Sequence, residues 1–198
     1  MDYSPLQKER YQYQPKLPAI LENPIHNLVA TKGEATAPEV DADRIKSLFP
    51  HTYGLPRVSF TLSDTPVAHK VINVGVILSG GQAPGGHNVI SGLYDALKKG
   101  NNKSNLIGFL AGPSGILEDK TLTFTDSVID AYRNTGGFDI IGSGRTKLET
   151  TEQFETVKDV CKKHNITALV IIGGDDSNTN AAVLAEYFLS TQAGISVV

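Results

Sequence analysis

The chain has 198 residues, which is enough for one full domain or for one domain plus an extension. Its formal net charge of −3 argues against a basic nucleic-acid-binding protein. The single cysteine, Cys161, excludes an internal disulfide framework and fits a reducing compartment. No apolar run approaches the roughly 20 residues of a membrane-spanning helix, and the polar N-terminus does not resemble a secretory signal. We therefore expect a cytoplasmic protein that binds neither nucleic acid nor membrane.

Residues 1–69 are predicted to form an N-terminal extension that differs from the rest of the chain. They hold eight of the ten prolines, and their apolar residues show no sustained period. We predict an irregular segment that docks onto another surface, with one short helix around Asp41–Phe49. A fully disordered tail is the alternative; tyrosines such as Tyr3 and Tyr11 favour docking.

Residues 70–198 are predicted to form an α/β domain in which strands and helices alternate. The first strand, VINVGVIL (71–78), is uniformly apolar, as expected of a strand buried on both faces. Further strands are predicted at 105–110, 138–142 and 166–174. Helices are predicted at 89–100, 123–133 and 180–189, and another carries Phe154, Val157, Val160 and Cys161 on one face. Thr150 and Gln153 predict a capping box at the start of this last helix. The alternation predicts a doubly wound parallel sheet.

The C-terminal residues GISVV predict a strand that has just begun. A central strand that stopped at Val198 would leave its ladder and any following crossover unfinished. We therefore expect the sheet to be incomplete at the C-terminus and the chain to be truncated.

Three loops leave predicted strands at the carboxyl edge of the sheet, where parallel sheets bind ligands. In the first, SGGQAPGGHN (79–88), Gly80 and Gly81 allow the backbone to approach a phosphate, and the following helix start supplies N–H donors. The spacing of its glycines resembles a Walker loop, but the lysine and hydroxyl residues of that motif are absent. A purely structural turn is the alternative, and we interpret His87 as a surface residue at a helix start.

The second loop, GSGRTK (142–147), presents Arg145 after three small residues. Its guanidinium matches the geometry of phosphate oxygens and could clamp a phosphoryl group. A surface ion pair between Arg145 and Glu149 is the alternative.

The third loop, GGDDSNT (173–179), places two carboxylates side by side. Adjacent carboxylates are costly unless a cation or an arginine offsets their repulsion. Asp175 is suited to hold Mg²⁺ together with substrate phosphates, whereas Asp176 would occupy space and carry charge. The alternative is an ordinary solvated helix N-terminus, where acidic residues are favourable.

Several long motifs closely resemble the pyrophosphate-dependent phosphofructokinases, in their long form with an N-terminal extension. They are VGVILSGGQAPGGHNVISGL, GGFDIIGSGRTKLET and VIIGGDDSNTNAAVLAEYF. The resemblance implies transfer of a phosphoryl group from pyrophosphate to the 1-hydroxyl of fructose 6-phosphate, with Mg²⁺ as cofactor. It also implies a homo-oligomer, either a dimer or a tetramer, or an assembly with a related subunit.

The resemblance assigns roles to individual residues. Gly80 and Gly81 would contact pyrophosphate, as would Ser177 and Asn178. Arg145 would hold a phosphoryl group and Asp175 would bind Mg²⁺. ATP-using relatives have glycine in place of Asp176, so this carboxylate would exclude ATP by filling the place of its α-phosphate.

The family's catalytic aspartate lies in a PKTIDGD-type segment, which this sequence does not reach. We therefore expect the 198-residue chain to be inactive by itself. Two alternatives to the enzyme remain open, a non-catalytic regulatory subunit of the same assembly and an ATP-dependent phosphofructokinase. The intact GGDD motif argues against the first, and Asp176 argues against the second.

Overall fold

The computed structural model describes residues 3–198, and these residues form two β-sheets. The larger sheet has five strands in the order β5-β4-β3-β6-β7. They are β3 (Asn73–Leu78), β4 (Asn105–Phe109), β5 (Thr121–Thr123), β6 (Ile166–Ile172) and β7 (Ser196–Val197). All are parallel except β5, which pairs antiparallel with β4 at one edge. The prediction of an α/β fold with a mostly parallel sheet is confirmed.

Helices cover both faces of this sheet. They are α3 (Gly86–Gly100), α4 (Pro113–Leu117), α5 (Asp126–Tyr132), α6 (Thr151–Lys163) and α7 (Asp175–Ser190). Along β3, Val76 and Leu78 join a core with α3 and α5, whereas Ile77 joins a second core with α4, α6 and α7. Burial on both faces explains why this strand is uniformly apolar. Within residues 3–198, no helix is long and apolar enough to cross a bilayer.

The order of the strands determines where a ligand site can form. The chain passes from β3 to β4 on one side, whereas β6 lies on the other side of β3. The loops that follow β3 and β6 therefore diverge onto opposite faces and leave a crevice at the carboxyl ends of these two strands. Such a reversal point is where doubly wound sheets bind their ligands.

The prediction of a strand at 138–142 was wrong. The amides of Asp139 and Ile140 donate to the ring of His87, and the carbonyl of Ile141 accepts from the loop after β4. These backbone groups are therefore bonded outside any ladder. Phe138, Ile140 and Ile141 are buried, so the apolar pattern reflects burial of this segment and not a strand.

The N-terminal extension is more regular than predicted. It contains α1 (Pro5–Gln12), α2 (Ala42–Leu48) and an antiparallel pair made of β1 (Leu28–Ala35) and β2 (Pro56–Leu62). Helix α2 confirms the short helix predicted around Asp41–Phe49. In β2, apolar Val58, Phe60 and Leu62 alternate with polar residues, which was a usable signal that the sequence analysis missed, whereas β1 shows no sustained alternation.

Several contacts dock the extension onto the α/β domain, and two groups of hydrogen bonds stand out. The Asn134 amide donates to the carbonyls of Arg10 and Tyr13 at the end of α1. On α7, the Glu186 carboxylate accepts from the backbone amides of His51 and Thr52. These contacts favour the docked interpretation over a disordered tail. The first two residues of the predicted 1–69 extension lie outside the described residues, and its boundary remains a prediction.

Candidate functional site

The paired aspartates form the first turn of α7. Strand β6 ends at Ile172, two glycines follow, and α7 begins with Asp175 and Asp176. Both side chains are exposed, and a helix N-terminus favours negative charge there. A Cβ at Gly173 would lie 2.5 Å from the Ser177 side chain, so only glycine permits this close turn.

A buried pair of serines joins this turn to the glycine turn after β3. The Ser177 hydroxyl donates to Ser79 Oγ over 2.8 Å, and both residues are less than 10% exposed. The Ser79 amide also donates to the carbonyl of Ile172 over 2.7 Å. These bonds hold the two loops together, and the Ser177 hydroxyl predicted to contact pyrophosphate is already bonded to Ser79.

Arg145 lies against the glycine turn. The Gly80 amide donates to the carbonyl of Gly144 over 2.8 Å, and a Cβ added at Gly81 would lie 2.8 Å from Arg145 Nη2. Gly80 has φ +96°, a left-handed conformation that side chains disfavour. The alternative ion pair between Arg145 and Glu149 is not formed in the described part of the chain.

The three predicted loops line one open cavity of about 780 Å³. It brings together six of the seven residues predicted for the site, namely Gly80, Gly81, Arg145, Asp175, Asp176 and Ser177. Asn178 is exposed and is not among the described residues that line it. An apolar wall, made of Val89, Phe138 and Ile172, was not predicted. The cavity therefore combines exposed carboxylates, a guanidinium and backbone amides at the carboxyl edge of the sheet.

Two polar residues beside the cavity also escaped the sequence analysis. Lys147 Nζ lies 3.9 Å from Asp176 Oδ2. The Asn180 amide on α7 accepts from the Leu148 N–H over 3.0 Å and donates to the Leu148 carbonyl, which clamps the segment after Arg145. Lys147 is two residues after Arg145 in the same predicted loop, so its position in the sequence could have indicated that it lies near the site. No local signal marks Asn180.

The interpretation of His87 as a surface residue was wrong. Its side chain lies in the first turn of α3, and the residue is only 2% exposed. Burial lowers its pKa below the ordinary value of 6.5, and the nearby Asp139 carboxylate opposes that shift. The ring is packed edge-on against Tyr132, with centroids 4.9 Å apart.

Comparison with known families identifies the α/β domain. The family model described as Phosphofructokinase matches residues 73–198, which include every strand of the larger sheet and all three loops of the cavity. The chain belongs to the phosphofructokinase family. The match accounts for the doubly wound sheet and for the position of the cavity.

Individual members of the phosphofructokinase family resemble this chain over its whole length. The pyrophosphate–fructose 6-phosphate 1-phosphotransferase of Porphyromonas gingivalis is 54% identical over 198 residues, which are 100% of this chain and 36% of the relative. The enzyme of the same name from Treponema pallidum (strain Nichols) is 45% identical over 207 residues, again covering 100% and 36%. This chain therefore spans little more than a third of the length of these relatives.

A solved structure supports the fold. The crystal structure of the pyrophosphate-dependent phosphofructokinase from Marinobacter aquaeolei superposes with a TM-score of 0.57 and 21% identity. The match covers 64% of this chain and 32% of that one. At this identity the likeness concerns the fold alone.

Proposed function

We propose that this chain forms the pyrophosphate-binding part of an enzyme that transfers a phosphoryl group from pyrophosphate to the 1-hydroxyl of fructose 6-phosphate. The products would be fructose 1,6-bisphosphate and phosphate. The observation that carries the proposal is the adjacent carboxylates of Asp175 and Asp176, which share one cavity with Arg145 and the glycine turn. The names of the relatives support the same reaction.

The residues of the cavity fit Mg²⁺ as the cofactor. Asp175 has no ion-pair partner among residues 3–198, and those residues contain no cluster of three or more histidine, cysteine or acidic side chains suited to a metal. Mg²⁺ is typically held by one or two carboxylates together with substrate phosphates, so a lone carboxylate facing a phosphate site suits it. Asp175 would hold the ion, which when bound would neutralise phosphate charge.

The other residues would position the donor. The glycine turn leaves room for pyrophosphate to approach the backbone and the N-terminus of α3, where N–H groups favour an anion. The Arg145 guanidinium would offset charge on the transferred group. Catalysis of phosphoryl transfer rests mainly on such positioning and charge compensation.

Asp176 would set the choice of donor. Its carboxylate is 89% exposed on the first turn of α7, beside the residue proposed to hold the metal. A fixed negative charge here would repel the α-phosphate of ATP, whereas pyrophosphate has no third phosphate to place there.

The test is binding of both donors to the chain. We expect titration calorimetry with Mg²⁺ present to show pyrophosphate binding and much weaker ATP binding. Tighter binding of ATP than of pyrophosphate would contradict the donor assignment. Phosphoryl transfer is then measured with a polypeptide of the relatives' full length that contains these residues.

The assembly and location of the protein are part of the same proposal. We propose a cytoplasmic homo-oligomer, or an assembly with a related subunit, with the division between extension and α/β domain at residues 69 and 70. Light scattering of the purified protein tests the assembly, and limited proteolysis tests the division.

A further inference from the structure

The ring of His87 connects the first turn of α3 with the segment that leads to Arg145. Its Nε2 atom accepts from the backbone amides of Asp139 and Ile140, at 2.9 and 3.0 Å. The His87 amide donates to the carbonyl of Gly137 over 3.0 Å. The histidine thus bonds to three residues of one segment and substitutes for the strand ladder that this segment lacks.

The hydrogen-bond network identifies the tautomer of the ring. Nδ1 lies 2.6 Å from Thr135 Oγ1, and the Thr135 hydroxyl itself donates to the carbonyl of Tyr132. The Thr135 oxygen must therefore accept from an Nδ1–H, while Nε2 remains the acceptor for the two amides. We therefore assign to His87 a neutral ring with its proton on Nδ1.

The segment bonded to His87 continues into the cavity. Three residues after Ile141, the Gly144 carbonyl accepts from the Gly80 amide, and Arg145 lies against Gly81. At the other end, the Phe138 ring packs so closely on Gly86 that a Cβ there would lie 2.3 Å from it. The segment is therefore fixed to the glycine turn at both ends, and His87 supplies the polar contacts at one of them.

We propose that His87 is a positioning residue whose neutral imidazole holds the segment carrying Arg145 in register with the glycine turn, and that protonation of the ring releases this segment. The proposal rests on the proposed function for its effect on pyrophosphate. The structural part, the link from the ring to the bond between Gly80 and Gly144, is independent of any ligand.

Protonation would reverse the role of Nε2. An Nε2–H cannot accept, so the amides of Asp139 and Ile140 would lose their partner inside the protein. The new proton would face the Asp139 carboxylate, whose Oδ1 lies 2.9 Å from Nε2. Asp139 and the Tyr132 phenol are the titratable side chains that the structure places against the ring. Asp139 is 68% exposed, so solvent screens its attraction and burial of the ring prevails.

The ligand-free test uses the isotopically labelled chain and nuclear magnetic resonance. At mildly alkaline pH we expect scalar couplings across the two N–H···N bonds, between His87 Nε2 and the amide nitrogens of Asp139 and Ile140. As the ring is protonated, we expect these couplings to vanish and the protection factor of the Gly80 amide hydrogen, which corrects for the pH dependence of intrinsic exchange, to fall. Detection of a proton on Nε2 at alkaline pH would overturn the proposal. So would a Gly80 protection factor that does not change as the ring titrates.

Two variants separate positioning from a general effect on folding. His87→Phe keeps an aromatic ring but removes the acceptor, and His26→Phe in the exposed part of the extension is the control. In His87→Phe we expect faster Gly80 exchange, about tenfold weaker pyrophosphate binding and a flattened pH profile of affinity. His26→Phe should change none of these. If His87→Phe fails to fold, the couplings and Gly80 exchange of the wild-type chain still decide the matter.

A double-mutant cycle with Arg145→Ala tests the route of the effect on pyrophosphate. Because His87 acts through the arginine, the loss caused by Arg145→Ala should be smaller in the His87→Phe background than in the wild-type chain. Additive losses would overturn that route. If the wild-type chain binds no pyrophosphate but shows the couplings and the linked Gly80 exchange, the proposed function fails and the positioning role stands.

Discussion

The ammonium group of Lys147 lies 3.9 Å from the carboxylate of Asp176, and Asp175 beside it has no such partner among residues 3–198. The pair is exposed, so it contributes between 0 and about 1 kcal/mol to stability. The two adjacent carboxylates therefore have different surroundings. Asp176 keeps its charge beside a lysine, whereas the carboxylate of Asp175 has no cationic partner in the part of the chain that the structure describes and is open to a cation.

Replacing Asp176 should change the choice of donor. We expect Asp176→Gly to tighten ATP binding by about tenfold relative to pyrophosphate, because one like charge is removed from the path of the α-phosphate. Calorimetric titration with both donors measures the ratio. Asp176→Asn, which keeps the volume, separates charge from bulk. An unchanged ratio in both variants would refute the exclusion role.

Replacing Asp175 should remove the effect of the metal. We expect Asp175→Asn to bind pyrophosphate equally with and without Mg²⁺, because its amide has lost the charge that holds the ion. The matched control is Asp43→Asn, which removes an acid from the first turn of α2. Affinities with and without Mg²⁺ give the measurement. Retention of the Mg²⁺-dependent gain would exclude Asp175 from the metal site.

Removing the amide of Asn180 should loosen the segment after Arg145. Both backbone groups of Leu148 would lose their partner in Asn180→Ala, so we expect a loss of about 1–2 kcal/mol in the free energy of unfolding. The Leu148 amide hydrogen should also exchange faster. Asn178→Ala, two residues earlier with an exposed side chain, is the control and should leave both quantities unchanged.

Glu186 should make the docking of the extension sensitive to acid. Burial would raise its pKa, but hydrogen bonds from His51 and Thr52 outweigh burial and lower the pKa below its ordinary value of 4.5. A carboxyl group with a lowered folded-state pKa stabilises the protein above the ordinary value, and this stability is lost as pH falls through the folded-state pKa.

The measurement compares denaturant unfolding of Glu186→Gln with that of the wild-type chain. We expect Glu186→Gln to lower the free energy of unfolding by about 1–2 kcal/mol at neutral pH, and the difference to shrink as pH falls below 4.5. Glu34→Gln on exposed β1 is the control. A difference that does not depend on pH would show that the charge of Glu186 is unimportant.

His87 should weaken folding under mildly acidic conditions. Its lowered pKa means that the unfolded chain binds a proton first, so stability should begin to fall below the ordinary value of 6.5 and continue falling down to the folded-state pKa. The slope of unfolding free energy against pH in this window measures the effect. His87→Phe should remove the part of this slope that His87 contributes. An unchanged slope in the variant would contradict the prediction.

The main elements of the α/β domain could be predicted because their signals are local. Strand β3 is apolar throughout since both its faces are buried, and α6 begins at the predicted capping box of Thr150 and Gln153. The convergence of the loops after β3 and β6 could also be predicted, because parallel strands bring their carboxyl ends to one edge. Neither inference required knowledge of distant partners. The loop 142–147 reaches the same edge although residues 138–142 form no strand, and the Gly80 amide bonds there to the Gly144 carbonyl.

The remaining features depend on partners that are far apart in the chain. Residues 138–142 have the apolar composition of a strand, but their amides bond to a histidine about 50 positions earlier. The same contact buries His87, which had been interpreted as a surface residue. Asn180 forms its hydrogen bond with Leu148, which is 32 positions earlier in the chain. Composition and periodicity describe each residue's immediate surroundings, whereas hydrogen-bond partners are chosen only when the folded chain brings distant groups together. The sequence alone therefore determined the main alternation of strands and helices and the edge of the sheet that holds the site, and the tertiary structure decided which side chains keep that site in shape.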